Sequence, residues 1–121
     1  MVQIGKQDGV TTLILNRPKQ RNALDAGVIQ GLIQAIEEAE ADAATRCLVI
    51  RGAGGNFCAG RDLSMAPERD LGAALAADES WTKVIRLLHR LSKPSVAVVE
   101  GYAVAGGFTL AMICDFVLAV D

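Results

Sequence analysis

Two glycine-bearing stretches hold the residues of this chain that could do chemistry. One is Gly52-Ala53-Gly54-Gly55-Asn56-Phe57-Cys58-Ala59-Gly60-Arg61-Asp62-Leu63, and the other runs from Glu100 to Asp115 around Gly101, Gly106 and Gly107. Ahead of the second, Ser95–Val99 is a β-rich apolar run bounded by Pro94 and Gly101, the pattern of a buried strand. Beyond the glycine pair, Phe108 to Ile113 is an apolar block that tolerates helix. The chain therefore leaves a strand, turns through 101–107 and enters a helix at Gly106-Gly107. A helix start leaves backbone N–H groups unpaired and carries partial positive charge, so it can hold an anion or a developing oxyanion. Glycine lets a ligand approach the backbone closely because no Cβ intervenes. In the first stretch the small residues Cys58-Ala59-Gly60 leave similar room, although taken alone it reads as a simple glycine-rich surface loop.

The named nucleotide motifs fail on the residues that carry their mechanism. A Walker loop closes on Gly-Lys-Ser/Thr, whereas Gly107 is followed by Phe108; the dinucleotide fingerprint needs a last glycine where Phe57 stands. A third candidate is the loop Arg17-Pro18-Lys19-Gln20-Arg21-Asn22, whose three cations make a basic spot on an acidic chain. That spot could hold the phosphates of a large anionic cofactor or be a solvated loop, and composition leaves both open. His89, the single histidine, falls late in a helix beside Arg90 with no carboxylate partner in view, and reads as a surface residue.

The elements that must position these stretches follow from periodicity. Met1–Lys6 and Val10–Asn16 are strands joined by an Asp8-Gly9 hairpin turn. Asp25 caps a helix running to about Glu40, with Val28, Ile29, Leu32, Ile33, Ile36 and Ala39 on one stripe as core packing. Arg46–Arg51 is continuous enough for a strand covered on both faces, reached by a right-handed crossover. Ser64 to Asp78 reads as a poorly specified mobile segment able to cover a pocket. Trp81, Val84, Ile85, Leu88 and Leu91 stripe a helix over 79–91, and Phe116–Val120 is a final strand. The result is an α/β chain with a largely parallel sheet.

Bulk properties bound the rest. The 121 residues make one domain at most, and 51% hydrophobic residues with only 3 prolines argue for a globular chain. A net charge of −2 offers no field for nucleic acid or an anionic membrane, so neither partner is expected. Cys47, Cys58 and Cys114 are odd in number and sit in apolar runs, which predicts reduced core thiols. Without a charged-then-apolar leader or a bilayer-length apolar run, a soluble cytoplasmic protein is the expectation.

Taken together, the ordered motifs resemble the crotonase, or enoyl-CoA hydratase/isomerase, superfamily over essentially the whole chain. They are Leu15-Asn16-Arg17-Pro18-Lys19 with Asn22-Ala23-Leu24, Phe57 to Leu63, Lys93-Pro94, and Gly101-Tyr102-Ala103 with Gly106-Gly107 and Ala111…Cys114-Asp115. The resemblance implies the N-terminal portion of a crotonase-like ββα spiral that binds an acyl-CoA thioester, with the carbonyl between the N–H groups of Arg61 and Gly106. It further implies that Lys19, Gln20 and Arg21 meet the nucleotide end of CoA, and that Ala59, Asp62, Leu63 and Ser64 line the same crevice. No metal and no resident cofactor are implied, since CoA enters with the substrate. Hydratases of the family carry a glutamate three positions after the oxyanion glycine; here that position is Thr109, whose hydroxyl is no general base at neutral pH, so an isomerase-like or other reaction is favoured over simple hydration. Family chains are about twice this long and assemble as trimers, so 1–121 is read as the N-terminal part of the domain, with association through uncovered apolar surface expected. The alternative is a catalytically silent fragment that binds CoA or assembles with partners.

Overall fold

The structure, a computed structural model, describes residues 1–62 and 71–120. Five strands form one sheet in the order of the chain: β1 (Val2–Gln7), β2 (Val10–Leu15), β3 (Cys47–Gly52), β4 (Ser95–Val99) and β5 (Phe116–Ala119). The β1–β2 hairpin is antiparallel, and Asp8 and Gly9 make its turn with positive φ at both positions (52° and 83°), as a tight two-residue connection requires. From β2 onward every pairing is parallel, and each crossover passes through a helix: α1 (Ala26–Ala41), α2 (Leu71–His89) and α3 (Gly106–Ile113).

The helices bury one row of strand side chains. Thr11, Leu13 and Leu15 of β2, Leu48 and Ile50 of β3, and Ser95 and Ala97 of β4 are buried, while their alternates on the other face are mostly half-buried. Leu13, Ile50 and Ala97 fall in register across three strands and form one layer of the core with Leu32 and Ile36 of α1. The Asp25 side chain caps α1 by accepting from the Val28 N–H at 2.8 Å, and all six residues expected on the buried stripe are buried. At the far end, the Lys93 ammonium donates to the carbonyls of Ala39 and Asp42, so the loop before β4 closes the last turn of α1.

Two expectations are corrected. The third strand is not covered on both faces: Cys47 and Val49 remain half-buried and Arg51 is exposed, because among the described residues no second layer lies on that side of the sheet. The segment expected to be mobile is helical over its described part, since α2 begins at Leu71 rather than near Glu79. Leu71 to Ala77 is rich in alanine and leucine, the best helix formers, and Gly72 sits in the first turn where its cost is least felt. Residues 64–70 of that segment lie outside the described part. His89 ends α2 as an exposed residue.

On α3 and β5, Phe108, Met112, Phe116, Val117 and Leu118 are exposed, an apolar strip at the sheet's edge. Of the three free thiols Cys58 and Cys114 are buried, and Cys47 is half-buried. Burial pushes the Cys114 thiol up to about 11 and raises that of Cys58. The thiolate is the reacting form. In the native protein at pH 8, iodoacetamide should therefore label Cys47 at least ~10-fold faster than the other two by peptide mass mapping; equal labelling of all three would contradict this packing.

Candidate active site

Three segments distant in sequence lie side by side beyond the C-terminal ends of β2, β3 and β4: residues 21–24, 57–62 and 100–104. Open α/β sheets place ligand crevices at this end of their strands. The middle segment is tied to both neighbours by backbone bonds. Phe57 and Cys58 donate their N–H groups to Glu100 O and Tyr102 O (2.7 and 2.8 Å), and Val104 N–H donates back to Cys58 O (3.1 Å). On the other side Ala59 N–H donates to Arg21 O (3.0 Å), Leu24 N–H to Gly60 O (2.7 Å) and Asp62 N–H to Leu24 O (3.0 Å). The two glycine stretches thus meet through the bridge Cys58–Ala103, and the first is joined to the 21–24 segment through the bridge Leu24–Arg61.

That pattern orients one amide by exclusion. Leu24 engages the carbonyl of Gly60 and the N–H of Asp62, and in a parallel pair the residue between them turns its own N–H the other way. On that other side Gly60, at φ 88°, packs so closely that a Cβ there would come within 2.8 Å of Val104 O and 3.4 Å of Gly106 N. A Cβ on Gly107 would collide with the Cys58 carbonyl itself. Glycine is required at both positions by space.

The second amide is set by a strained turn. Gly107 N–H donates to Val104 O at 2.9 Å, closing a four-residue turn in which Ala105 has φ 50° and ψ −117°. These angles belong to the first central position of a type II′ turn, a place normally held by glycine. A non-glycine residue there costs of order 1–3 kcal/mol and persists because its surroundings dictate it. Immediately after it, Gly106 opens α3 with an N–H for which the helix itself has no acceptor.

Polar side chains clamp the loops. Asn22, 1% exposed and at φ 58°, donates through Nδ2 to Ala53 O (2.9 Å) and Asn56 O (2.8 Å) and accepts from Arg17 N–H (2.8 Å). The Arg17 guanidinium donates to Ala23 O at 2.8 Å and to Asp62 Oδ2 at 3.0 Å, with Asp25 3.6 Å away. Arg17 is thus separated from the basic spot in which its sequence neighbours place it: it faces inward and ties 17–25 to 57–62. Asp62, expected along the crevice, has its side chain 9% exposed with its carboxylate on Arg17.

Lys19, Gln20 and Arg21 remain outward on and just after a 3-10 turn at Pro18–Gln20, with the Arg21 guanidinium 5.1 Å from the centre of the half-exposed Tyr102 ring. Ala59 is half-buried beside Arg21. Leu63 and Ser64 lie outside the described residues. The Arg61 side chain is half exposed and reaches Asp78 at 3.5 Å. Thr109 is exposed, and its hydroxyl donates to Ala105 O at 3.3 Å, a bond to the preceding helical turn. Cys58 is no nucleophile here, because burial holds its thiol protonated.

Arg61 and Gly106 also border a cavity of about 190 Å³. Among the described residues Leu24, Ile29, Arg61, Trp81 and Gly106 line it. Ile29 and Trp81 are absent from the sequence-based site, because each belongs to a helical apolar stripe whose spacing is the same for core and for cavity wall. Asn22 carried a faint signal as a residue type tolerant of positive φ in a loop. No group of three potential metal-ligating side chains occurs among the described residues.

The sequence profile of enoyl-CoA hydratase/isomerase matches residues 5–121. The chain belongs to the enoyl-CoA hydratase/isomerase family. It is 37% identical over 118 residues to 2,3-dehydroadipyl-CoA hydratase and 36% identical over 119 residues to 1,2-epoxyphenylacetyl-CoA isomerase, both of Escherichia coli K12. These alignments cover 96% and 93% of this chain and 45% of each relative. The crystal structure of an enoyl-CoA hydratase of Mycobacterium smegmatis superposes with a TM-score of 0.91 at 33% identity, over 98% of this chain and 47% of that one. The fold is accordingly the N-terminal portion of a crotonase-type α/β domain, and the chain spans about half the length of the relatives it matches.

Strain at Ala105 gives a direct test of the turn. Ala105→Gly should hold or raise stability by up to about 1 kcal/mol in urea unfolding, since relief of strain outweighs the added backbone entropy. Ala105→Val should lower it, and the reverse ranking would mean the turn has another geometry.

Proposed function

We propose that this family member binds an acyl-CoA thioester with its carbonyl oxygen between the Arg61 and Gly106 N–H groups, and stabilises the enolate or oxyanion formed there. The observation that carries the reading is that Arg61, its amide turned away from Leu24, and Gly106, whose helix-start amide has no acceptor within its own helix, border the same mostly apolar cavity. Enolising or attacking a thioester moves negative charge onto its oxygen, and each donor aimed at that oxygen is worth about 3–4 kcal/mol in the transition state. Neither donor needs a side chain, so the half-exposed Arg61 guanidinium, which meets Asp78 at 3.5 Å, need not take part.

Proton transfer must come from elsewhere. Thr109 stands where hydratases of the family carry glutamate, and its hydroxyl titrates far above neutral pH and is engaged by the Ala105 carbonyl. An isomerase-like or other thioester reaction is therefore favoured over two-carboxylate hydration. The same relatives include both an isomerase and a hydratase by name. The phosphates of CoA belong on Lys19 and Arg21, with Gln20 and Ala59 along the way; a trimer-based assembly, which the family resemblance implies, and a cytoplasmic location are part of the same proposal. A thioester that binds without turnover would instead favour a silent binding role.

Two measurements test it. In protein carrying this segment, Gly106→Pro removes one donor and should lower thioester turnover by about 100-fold or more, while Thr109→Ala changes it little; wild-type rates in Gly106→Pro would remove that donor from the mechanism. Replacing Lys19 and Arg21 by alanine should weaken CoA binding at low salt, the loss shrinking as salt rises. Unchanged affinity at low salt would leave this loop merely solvated.

A further inference from the structure

The cavity beside Gly106 has a construction that says what it accepts. Among the described residues its apolar lining comes from three places: Leu24 from the loop after β2, Ile29 from the first turns of α1, and Trp81 from α2. Leu24 and Ile29 are buried, whereas Trp81 is only half-buried. A Cβ on Gly106 would lie 3.2 Å from Leu24 Cδ1 and 3.6 Å from Trp81 Cζ2, so the indole edge stands across from the helix-start amide. Gly106 has no positive φ, so glycine is used here for the space it leaves.

Resting on the acyl-CoA reading above, we propose that Trp81, as the wall of this cavity across from the Gly106 amide, limits the acyl group to an apolar one of roughly six carbons. The size follows from volume: an apolar cavity of about 150 Å³ takes a benzene-sized guest, and about 190 Å³ is available here. The apolar character follows from the lining, because a charged or hydroxylated tail would lose its water against Leu24, Ile29 and the indole, and the one charged residue among the described lining, Arg61, already meets Asp78 at 3.5 Å. Width is set by rigid parts, since Leu24 and Ile29 sit in the packed core. The wall with freedom to differ is the half-buried indole, one helical turn on from Asp78, the residue the Arg61 side chain meets at 3.5 Å. Asp78 and Trp81 share a face of α2, so the exposed ion pair and the indole lie along the same wall.

Trp81 is also the only tryptophan in the chain, so its fluorescence reports on the cavity directly. The test titrates the protein carrying this chain with free CoA and with butyryl-, hexanoyl- and dodecanoyl-CoA, following indole emission and, in parallel, heat of binding. Hexanoyl-CoA should shift the emission where free CoA does not, and should bind more tightly than dodecanoyl-CoA. In Trp81→Ala, followed by calorimetry, the affinity ratio of dodecanoyl- to hexanoyl-CoA should rise about tenfold or more, with Trp81→Phe between it and wild type. Circular dichroism confirms that each variant is folded; Trp81→Phe keeps the test decisive if the alanine variant is not. An emission change with free CoA equal to that with hexanoyl-CoA, or equal weakening of all chain lengths in the variants, overturns the length-setting role while thioester binding stands. Absence of heat with every thioester on wild-type protein overturns the acyl-CoA reading and this inference with it.

Discussion

The architecture of this site depends on a contact between two pieces of backbone that leaves no room for a side chain. The start of α3 is pressed onto the 57–60 segment so tightly that a Cβ on Gly107 would occupy the Cys58 carbonyl, and one on Gly60 would reach the Val104 carbonyl. Backbone-to-backbone packing of this kind brings peptide groups from two loops within reach of one small object. It also explains why Ala105 is held at positive φ: with 57–60 on one side and the helix on the other, the chain can enter α3 only through a tight turn. A few kcal/mol of strain at one residue is affordable where twenty apolar residues, among those described, form a single core.

A second layer of restraint keeps the loops from relaxing that contact. Asn22 bridges three backbone groups, and Arg17 reaches from the end of β2 to Asp62 in a pair whose side chains are 20% and 9% exposed. Breaking a largely buried pair by removing one partner costs about 3–5 kcal/mol, because the remaining charge is stranded away from water. These residues therefore act by holding the Arg61 peptide in place. The contrast with Lys19 and Arg21 is instructive: cations two and four positions beyond Arg17 point outward, and only they are available to a ligand. Charge alone does not separate the two roles; the 3-10 turn at Pro18–Gln20 does, by reversing the chain between them.

Peptide N–H groups are the same whatever residue supplies them, which makes such a site indifferent to the acid or base brought to it. On the proposed reading the reaction would be set by the side chains around a constant pair of donors, and function must be argued from the site. On the same proposed reading, Thr109 is one such side chain. The helices contribute in an equally indirect way: α1 and α2 pack on each other as core, and their edge residues Ile29 and Trp81 become the wall of a cavity.

Much of this was determined by the sequence alone. Strand and helix positions follow from periodicities of two and of three to four residues, the α1 cap from Asp25, and the parallel order from alternation of strands with helices. The two glycine stretches announce close approach, because glycine is costly unless the absence of a Cβ is used. Tertiary structure alone decided the rest. It set which face of β3 is covered, since a run of apolar residues does not say whether a second layer exists. It separated Arg17 from Lys19 and Arg21, and committed Asp62 to a clamp, because ion pairs between residues 45 apart depend on the fold and leave no local pattern. It made a cavity wall of Ile29 and Trp81, which share their helical spacing with ordinary core. Local patterns report on a residue's own element, and a site is built from what different elements bring together.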